Sequence, residues 1–201
     1  KLQMLGGNQD KYGKNLRDLA ILALGELGDR SAVEALEEVL RDQQIGPEDE
    51  YNELVVALYK LGATKHVEKF VQVMEREAAA AMTGEYREDG YVRIFCVALV
   101  QSRTGRREIA EKTYVRLVHL IEQHAKQAES DTYYSSLYNL ACLQAQRGDK
   151  KSSMESLRKA VVAGYRDRSW IKKDRDLDPI RDEPDFRKLI ADEDLFKEKK
   201  E

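Results

Sequence analysis

Two stretches of this chain repeat one layout 34 positions apart, and that repeat limits the possible folds more than any other feature. LAILALGELGDRSAVEALEEVL, built around Gly28, is followed by LVVALYKLGATKHVEKFVQVM, built around Gly62. Val33, Leu36, Val39 and Leu40 of the first copy correspond to Val67, Phe70, Val73 and Met74 of the second. A unit this short cannot bury an apolar face alone, so a chain that repeats it must gain its core by stacking neighbours.

In the first copy, Leu16, Leu19, Ala20, Ala23, Leu24 and Leu27 recur at spacings of three and four. That periodicity predicts an amphipathic helix with those residues on its buried side. Gly28 is free to take the left-handed conformation that ends a helix, and Ser31 stands where it would cap the next one. The second helix presents Val33, Leu36, Val39 and Leu40, which makes the unit an antiparallel hairpin, and the loop QQIGPED leads into the next copy.

Two later corners continue the series at Gly105 and Gly148, each 43 positions after the one before. The run YVRIFCVALV ahead of Gly105, taken alone, suits a buried strand as well as a helix. Its place in the repeat assigns it to helix, apolar nearly all round because it lies between neighbours. After Gly105, Ala110, Tyr114, Leu117 and Ile121 share one helical face. Around Gly148, Leu140 and Ala141 precede the corner, Leu157 and Ala160 follow it, and Ser153 stands at another small-residue position. Small side chains such as Ala98, Ala110 and Ala141 let helices approach closely enough to stack.

These strings carry two resemblances. ALGELGDRSAVEAL resembles the HEAT-like repeats of bacterial proteins, covering residues 15–82 with a more degenerate second copy. The hairpins of residues 90–164 resemble tetratricopeptide repeats, through Ala98, Gly105, Ala110 and Tyr114 and then Leu140, Ala141, Gly148, Leu157 and Ala160. The tail GYRDRSWIKKDRDLDPIRDEPDFRKLI, over residues 165–192, resembles the closing segment of bacterial tetratricopeptide arrays, with Pro184 in the first turn of its last helix. Trp170, Ile171, Leu177, Ile180, Phe186 and Leu189 are expected to cover the naked end of the last hairpin. Residues 193–201 are expected to fray. Together the resemblances imply an all-α fold, a right-handed α-α superhelix of helical hairpins with a short helical C-terminal cap.

Composition agrees with a helical stack and narrows the function. Apolar residues make up 42% and charged residues 35%, with three prolines, as suits long helices with solvated faces. Thirty-four basic and thirty-seven acidic residues alternate in sign along the chain. No basic stripe exists to displace counterions from phosphates, which argues against nucleic acid. No apolar run reaches the roughly 18 to 20 residues that span a bilayer, which argues against membrane insertion. The chain starts at Lys1, and residues 1–14 read as a lead-in cut from something longer. The expected protein is soluble, either cytoplasmic or exported. Cys96 and Cys142 lie in apolar helical segments and are expected to be buried free thiols.

Chemistry-bearing patterns are few. Asp174, Asp176, Asp178 and Asp185 fall at positions one, three, five and twelve of a calcium loop. Pro179 occupies the sixth position, where the loop needs glycine, and Asp185 replaces the bidentate glutamate, so capping of short helices explains the string better. His66, His119 and His124 have no metal-ligand spacing. No nucleophile elbow, phosphate loop or CxxC occurs, so no cofactor is expected.

What remains is surface. The tetratricopeptide resemblance implies that Phe95, Leu99, Ser102 and Arg103, and then Ser135, Tyr138, Cys142 and Gln146, point into a concave groove, with Asn139 beside them. Asn, Arg and Tyr together suit capture of a peptide backbone and carboxylate. The opposing reading places Tyr138 and Phe95 in the core and makes Asn139 a brace within its helix pair. The expected function is a non-catalytic scaffold that binds a peptide or helix of a partner protein. The alternative, from the resemblance of the tail to segments that follow kinase, cyclase or peptidase domains in bacteria, is the regulatory or substrate-recruiting region of a larger multidomain enzyme of such a kind.

Overall fold

A computed structural model describes residues 16–41, 50–64, 68, 72, 76, 88–123 and 130–197, and every regular element among them is helical. The chain divides into two compact units, Lys1–Arg106 and Arg107–Glu201.

The first unit contains α1 (Leu16–Leu27), a 3-10 turn at Arg30–Ala32, α2 (Val33–Arg41), α3 (Glu50–Lys60) and α4 (Glu88–Arg103). The run YVRIFCVALV is thus helical. Central to the unit is α3, which packs on α1, α2 and α4. Its core joins Ile21, Leu36, Val39, Leu54, Leu58 and Val100.

Each corner glycine turns the chain in the left-handed region, with φ of 70° at Gly28, 78° at Gly62, 79° at Gly105 and 88° at Gly148. At Gly62 the glycine N–H donates to Tyr59 O and the next N–H, of Ala63, to Leu58 O. Gly105 and Arg106 repeat that pair onto Ser102 and Gln101, and Gly148 and Asp149 repeat it onto Ala145 and Gln144. Three corners therefore close with the same two hydrogen bonds, the arrangement that satisfies the orphan carbonyls of a helix end.

Two details depart from the sequence reading. The cap after Gly28 is Asp29 and not Ser31: the Asp29 Oδ1 accepts the Ser31 N–H at 2.9 Å. The reach is only two residues because a 3-10 turn precedes α2. The second departure is the buried side of α1, which is Ile21 and Gly25, with Leu27 76% exposed. Gly25 decides this: a Cβ there would lie 2.8 Å from the Ala57 Cα, so α3 docks where α1 has no side chain. Val67, Phe70, Val73 and Met74 lie outside the described residues.

Successive helices of this unit stand in register. Glu26 and Lys60, 34 positions apart, form an ion pair between equivalent positions of α1 and α3. Arg103, two residues before the next corner glycine as Lys60 is before Gly62, reaches back to Glu53 on α3 at 2.8 and 2.9 Å.

The second unit contains α5 (Arg107–Gln123), α6 (Asp131–Arg147), α7 (Lys150–Ala163), α8 (Arg168–Lys173), a 3-10 turn at Arg175–Leu177, α9 (Asp178–Arg181), α10 (Pro184–Ala191) and a final turn at Glu193–Phe196. The sequence-predicted face of α5, Ala110, Tyr114, Leu117 and Ile121, is buried, and Val118 joins it. Asp149, which follows Gly148 as Asp29 follows Gly28, caps α7 by accepting the Ser152 N–H at 3.1 Å. Ser153 is fully buried between α6 and α7 and donates to the Ala141 carbonyl at 2.8 Å, so its hydroxyl is satisfied.

The closing elements pack on α6 and α7. Ile171, Leu177, Ile180, Phe186 and Leu189 are buried as expected, and Ile190 joins them. Trp170 does not: it remains 46% exposed, with the Lys173 ammonium 5.6 Å from its ring centroid. On the single turn and a half of α8, Ile171 takes the inward position and its neighbour points away. Cys96 and Cys142 are buried free thiols.

Candidate functional site

The face of α6 assigned to a groove is a stripe at four-residue spacing, Tyr138, Cys142 and Gln146, which one side of a helix presents together. Gly164, with φ of 134°, turns the chain at the end of α7 so that Tyr165 comes back over that stripe. The Tyr165 ring lies flat on Tyr138, centroids 4.2 Å apart and planes 3° from parallel, and Tyr134 meets Tyr165 edge-on.

The same closing segment delivers two carboxylates. The Tyr138 hydroxyl donates to Asp174 Oδ2 at 2.5 Å, and the Cys142 Sγ lies 3.8 Å from that oxygen. The other oxygen of Asp174 accepts the Asp176 N–H at 3.0 Å, which starts the 3-10 turn. Asp176 Oδ1 in turn accepts from Gln146 Nε2 at 2.5 Å. The donors of α6 are therefore filled by the chain itself. Burial first, then the neighbouring Cys142, Asp174 and Tyr165, pushes the Tyr138 phenol far above its ordinary value. Burial and the Asp174 and Asp176 charges do the same to the Cys142 thiol. Asp176 is raised by burial and by the charge of Asp174. Every one of these shifts favours the neutral, protonated form.

Cys142, Asp174 and Asp176 bring a thiol and two carboxylate oxygens within 4.8 Å of one another, the one such trio among the described residues. A soft cation would need the thiolate, and the surroundings of Cys142 oppose its formation. The trio is built as a hydrogen-bonded joint. Asp178, which the calcium-loop spacing also singled out, pairs with Arg181 at 2.7 Å. Asp185 lies in the first turn of α10, so these carboxylates serve helix starts.

Asn139, next to the stripe, turns toward α5, where its Nδ2 donates to the Tyr114 hydroxyl at 3.0 Å. The Tyr114 ring is fully buried, so this bond braces the α5–α6 pair. On α4, in the first unit, Phe95, Leu99 and Ser102 are half-buried, and Arg103 keeps 38% of its side chain exposed while bound to Glu53.

One surface escaped the sequence reading. Glu108, Glu111, Lys112, Val115, Arg116 and His119 of α5, with Arg147 of α6, line a depression of about 570 Å³. Arg147 pairs with Glu111 at 3.2 Å and Asp149 at 3.0 Å. The visible signal was Val115, an apolar residue 49% exposed on the charged side of its helix. Acidic and basic side chains mix along the depression, so it carries no single-sign field.

Against known proteins, residues 16–42 match the family model of the PBS lyase HEAT-like repeat, a span that covers α1, the 3-10 turn and α2. No curated protein matches the chain, and no solved structure does. The chain is thus an α-helical protein containing a HEAT-like repeat. No helix among the described residues is long and apolar enough to cross a membrane.

Proposed function

We propose that this chain is a non-catalytic protein–protein interaction scaffold whose helix faces hold a peptide or helix of a partner protein. The observation that carries the reading is the repeated corner at Gly62, Gly105 and Gly148, closed each time by the same two hydrogen bonds. Helices joined this way are committed to stacking, and stacked repeats offer extended faces for binding. The match of residues 16–42 to a HEAT-like repeat supports the same reading.

The proposed contact groups are Phe95, Leu99 and Arg103 on α4, and Tyr138, Asn139 and Gln146 on α6. Phe95 and Leu99 supply apolar area, and the Arg103 guanidinium offers donors beyond those spent on Glu53. Tyr138 and Gln146 already hold the carboxylates of Asp174 and Asp176, so an acidic partner residue meets the same donors when it takes their place. A tetratricopeptide-like character for residues 90–164 and a right-handed superhelical course belong to this proposal.

The test starts by crosslinking the purified chain in lysate of its source and identifying what it holds. The combined substitution Leu99→Asp and Gln146→Ala should then weaken binding of the identified partner at least about tenfold, with the helical circular dichroism unchanged. Undiminished binding rejects these faces, and a turnover abolished by one point substitution rejects the non-catalytic reading.

A further inference from the structure

Equivalent positions on the three helices that line up in the first unit have unequal fates. Nine, five and one residues before the corner glycine, α3 and the residue after it carry Glu53, Ala57 and Leu61, which are 8%, 1% and 2% exposed. At the same positions α4 and its corner carry Cys96, Val100 and Thr104, at 6%, 1% and 4%. Within this register Ala57 lies beneath Gly25, where α3 packs on α1, and Glu53 meets Arg103 of α4. Val100 of α4 enters the same core from its own copy of the face.

On α1 those three positions are Leu19, Ala23 and Leu27, apolar without exception, yet Leu19 is 37% exposed, Leu27 76%, and Ala23 lies open to solvent. A lone exposed leucine needs no explanation. Here the open residues occupy the register that is buried on the next two helices. Helix α1 is apolar on two sides, the pattern of a helix with a neighbour on each, and Ile21 and Gly25 fill only one of them.

We infer that Leu19, Ala23 and Leu27 form a docking face for one further α-helix, supplied by a partner protein, which lies on α1 as α1 lies on α3. The interface already present specifies that helix. It carries a glycine or alanine where it crosses Ala23, as Gly25 crosses Ala57, with an aliphatic residue one turn earlier in the role of Ile21. Its last turn carries a lysine or arginine for Glu26, whose side chain is 66% exposed and already attracts Lys60 from the other side. A second copy of this chain cannot supply the complementary face, because its own α3 covers Ile21 and Gly25.

The probe is a fluorescein-labelled peptide of residues 16–42 carrying Glu26→Lys, which presents the Ile21–Gly25 side with nothing upon it. Fluorescence anisotropy should show saturable binding to the full chain. Binding should weaken at least about tenfold when the chain carries Leu19→Glu and Leu27→Glu, and equally when the peptide carries Gly25→Leu. Since a free hairpin of this length is marginal, the same face is also tested in cis, by duplicating residues 16–49 immediately ahead of Leu16. Leu27→Glu in the original copy should leave the Tm of the parent chain unchanged and lower that of the duplicated chain by several degrees. An equal effect in both chains overturns the inference, as does peptide binding that survives Leu19→Glu and Leu27→Glu. A parent-chain dimer in sedimentation that Leu27→Glu dissolves also overturns it, by making the second copy the occupant.

Discussion

Replacing Gly25 by alanine sets two well-measured effects against each other. Inside an exposed helix the change should stabilise by about 1 kcal/mol, because glycine is the costlier residue to order. Gly25 is not exposed. Its new methyl would stand 2.8 Å from the Ala57 Cα and 2.9 Å from its Cβ, closer than side chains pack, and a Cα cannot rotate away. Overpacking of this kind costs about 1 to 3 kcal/mol, and the backbone nature of the obstacle favours the upper half of that range. The net expectation is a loss of about 1 to 2 kcal/mol after the propensity gain is subtracted. Urea unfolding followed by circular dichroism gives the sum. Because two compact units need not unfold as one, amide hydrogen exchange at Val55 to Leu58 should report the loss locally. Ala57→Gly, harmful alone, should recover part of the loss in the Gly25→Ala background, with a coupling of about 0.5 to 3 kcal/mol. A stabilised Gly25→Ala protein would refute the close α1–α3 approach, since helix propensity would then be the only force at work.

Three further outcomes test other parts of the structure. Arg103→Ala should cost about 1 to 3 kcal/mol, because Glu53, whose side chain is 11% exposed, loses a charged hydrogen-bond donor, whereas Lys60→Ala should cost less than about 1 kcal/mol, its pair with Glu26 being open to water; paired urea melts check the order. Asp176 binds its proton more tightly in the folded than in the unfolded protein, so its contribution favours folding as pH falls from that raised value toward the ordinary carboxylate range and is lost as pH rises through it. Asp176→Asn, which keeps an acceptor for Gln146, should therefore flatten the stability profile just above that range, and melts at pH 4.5 and 7 would show no difference from the parent if the carboxyl were unperturbed. Ser153→Val should destabilise by about 1 to 3 kcal/mol by crowding α6 and α7, while Ser153→Ala should cost only the roughly 0.5 to 1.5 kcal/mol of one hydrogen bond; thermal melts separate the two.

Much of the architecture was legible because its determinants are local. The corners at Gly28, Gly62, Gly105 and Gly148 all have the positive φ that the repeat spacing demanded, and the buried stripe of α5 follows from its periodicity alone. The candidate site was less legible. Residue types marked Arg103, Tyr138, Asn139 and Gln146 as able to bind something, and each of them binds another side chain of the same unit. A clue stood in the spacing: Lys60, Arg103 and Gln146 each fall two residues before a corner glycine. All three side chains cross to a neighbouring element from there.

By itself the sequence determined where the chain turns at its corner glycines, since a left-handed glycine closes a helix end through bonds only a few residues long. Tertiary structure alone decided which of the two apolar sides of α1 is buried, because that turns on the absence of a side chain at Gly25 and the arrival there of Ala57 from another repeat. It likewise decided that Asp174 and Asp176 settle on the donors of α6 and that Trp170 stays in water while Ile171 goes in. Those outcomes depend on atoms about 30 residues away in the chain coming within hydrogen-bonding distance, and a local pattern carries no record of that meeting.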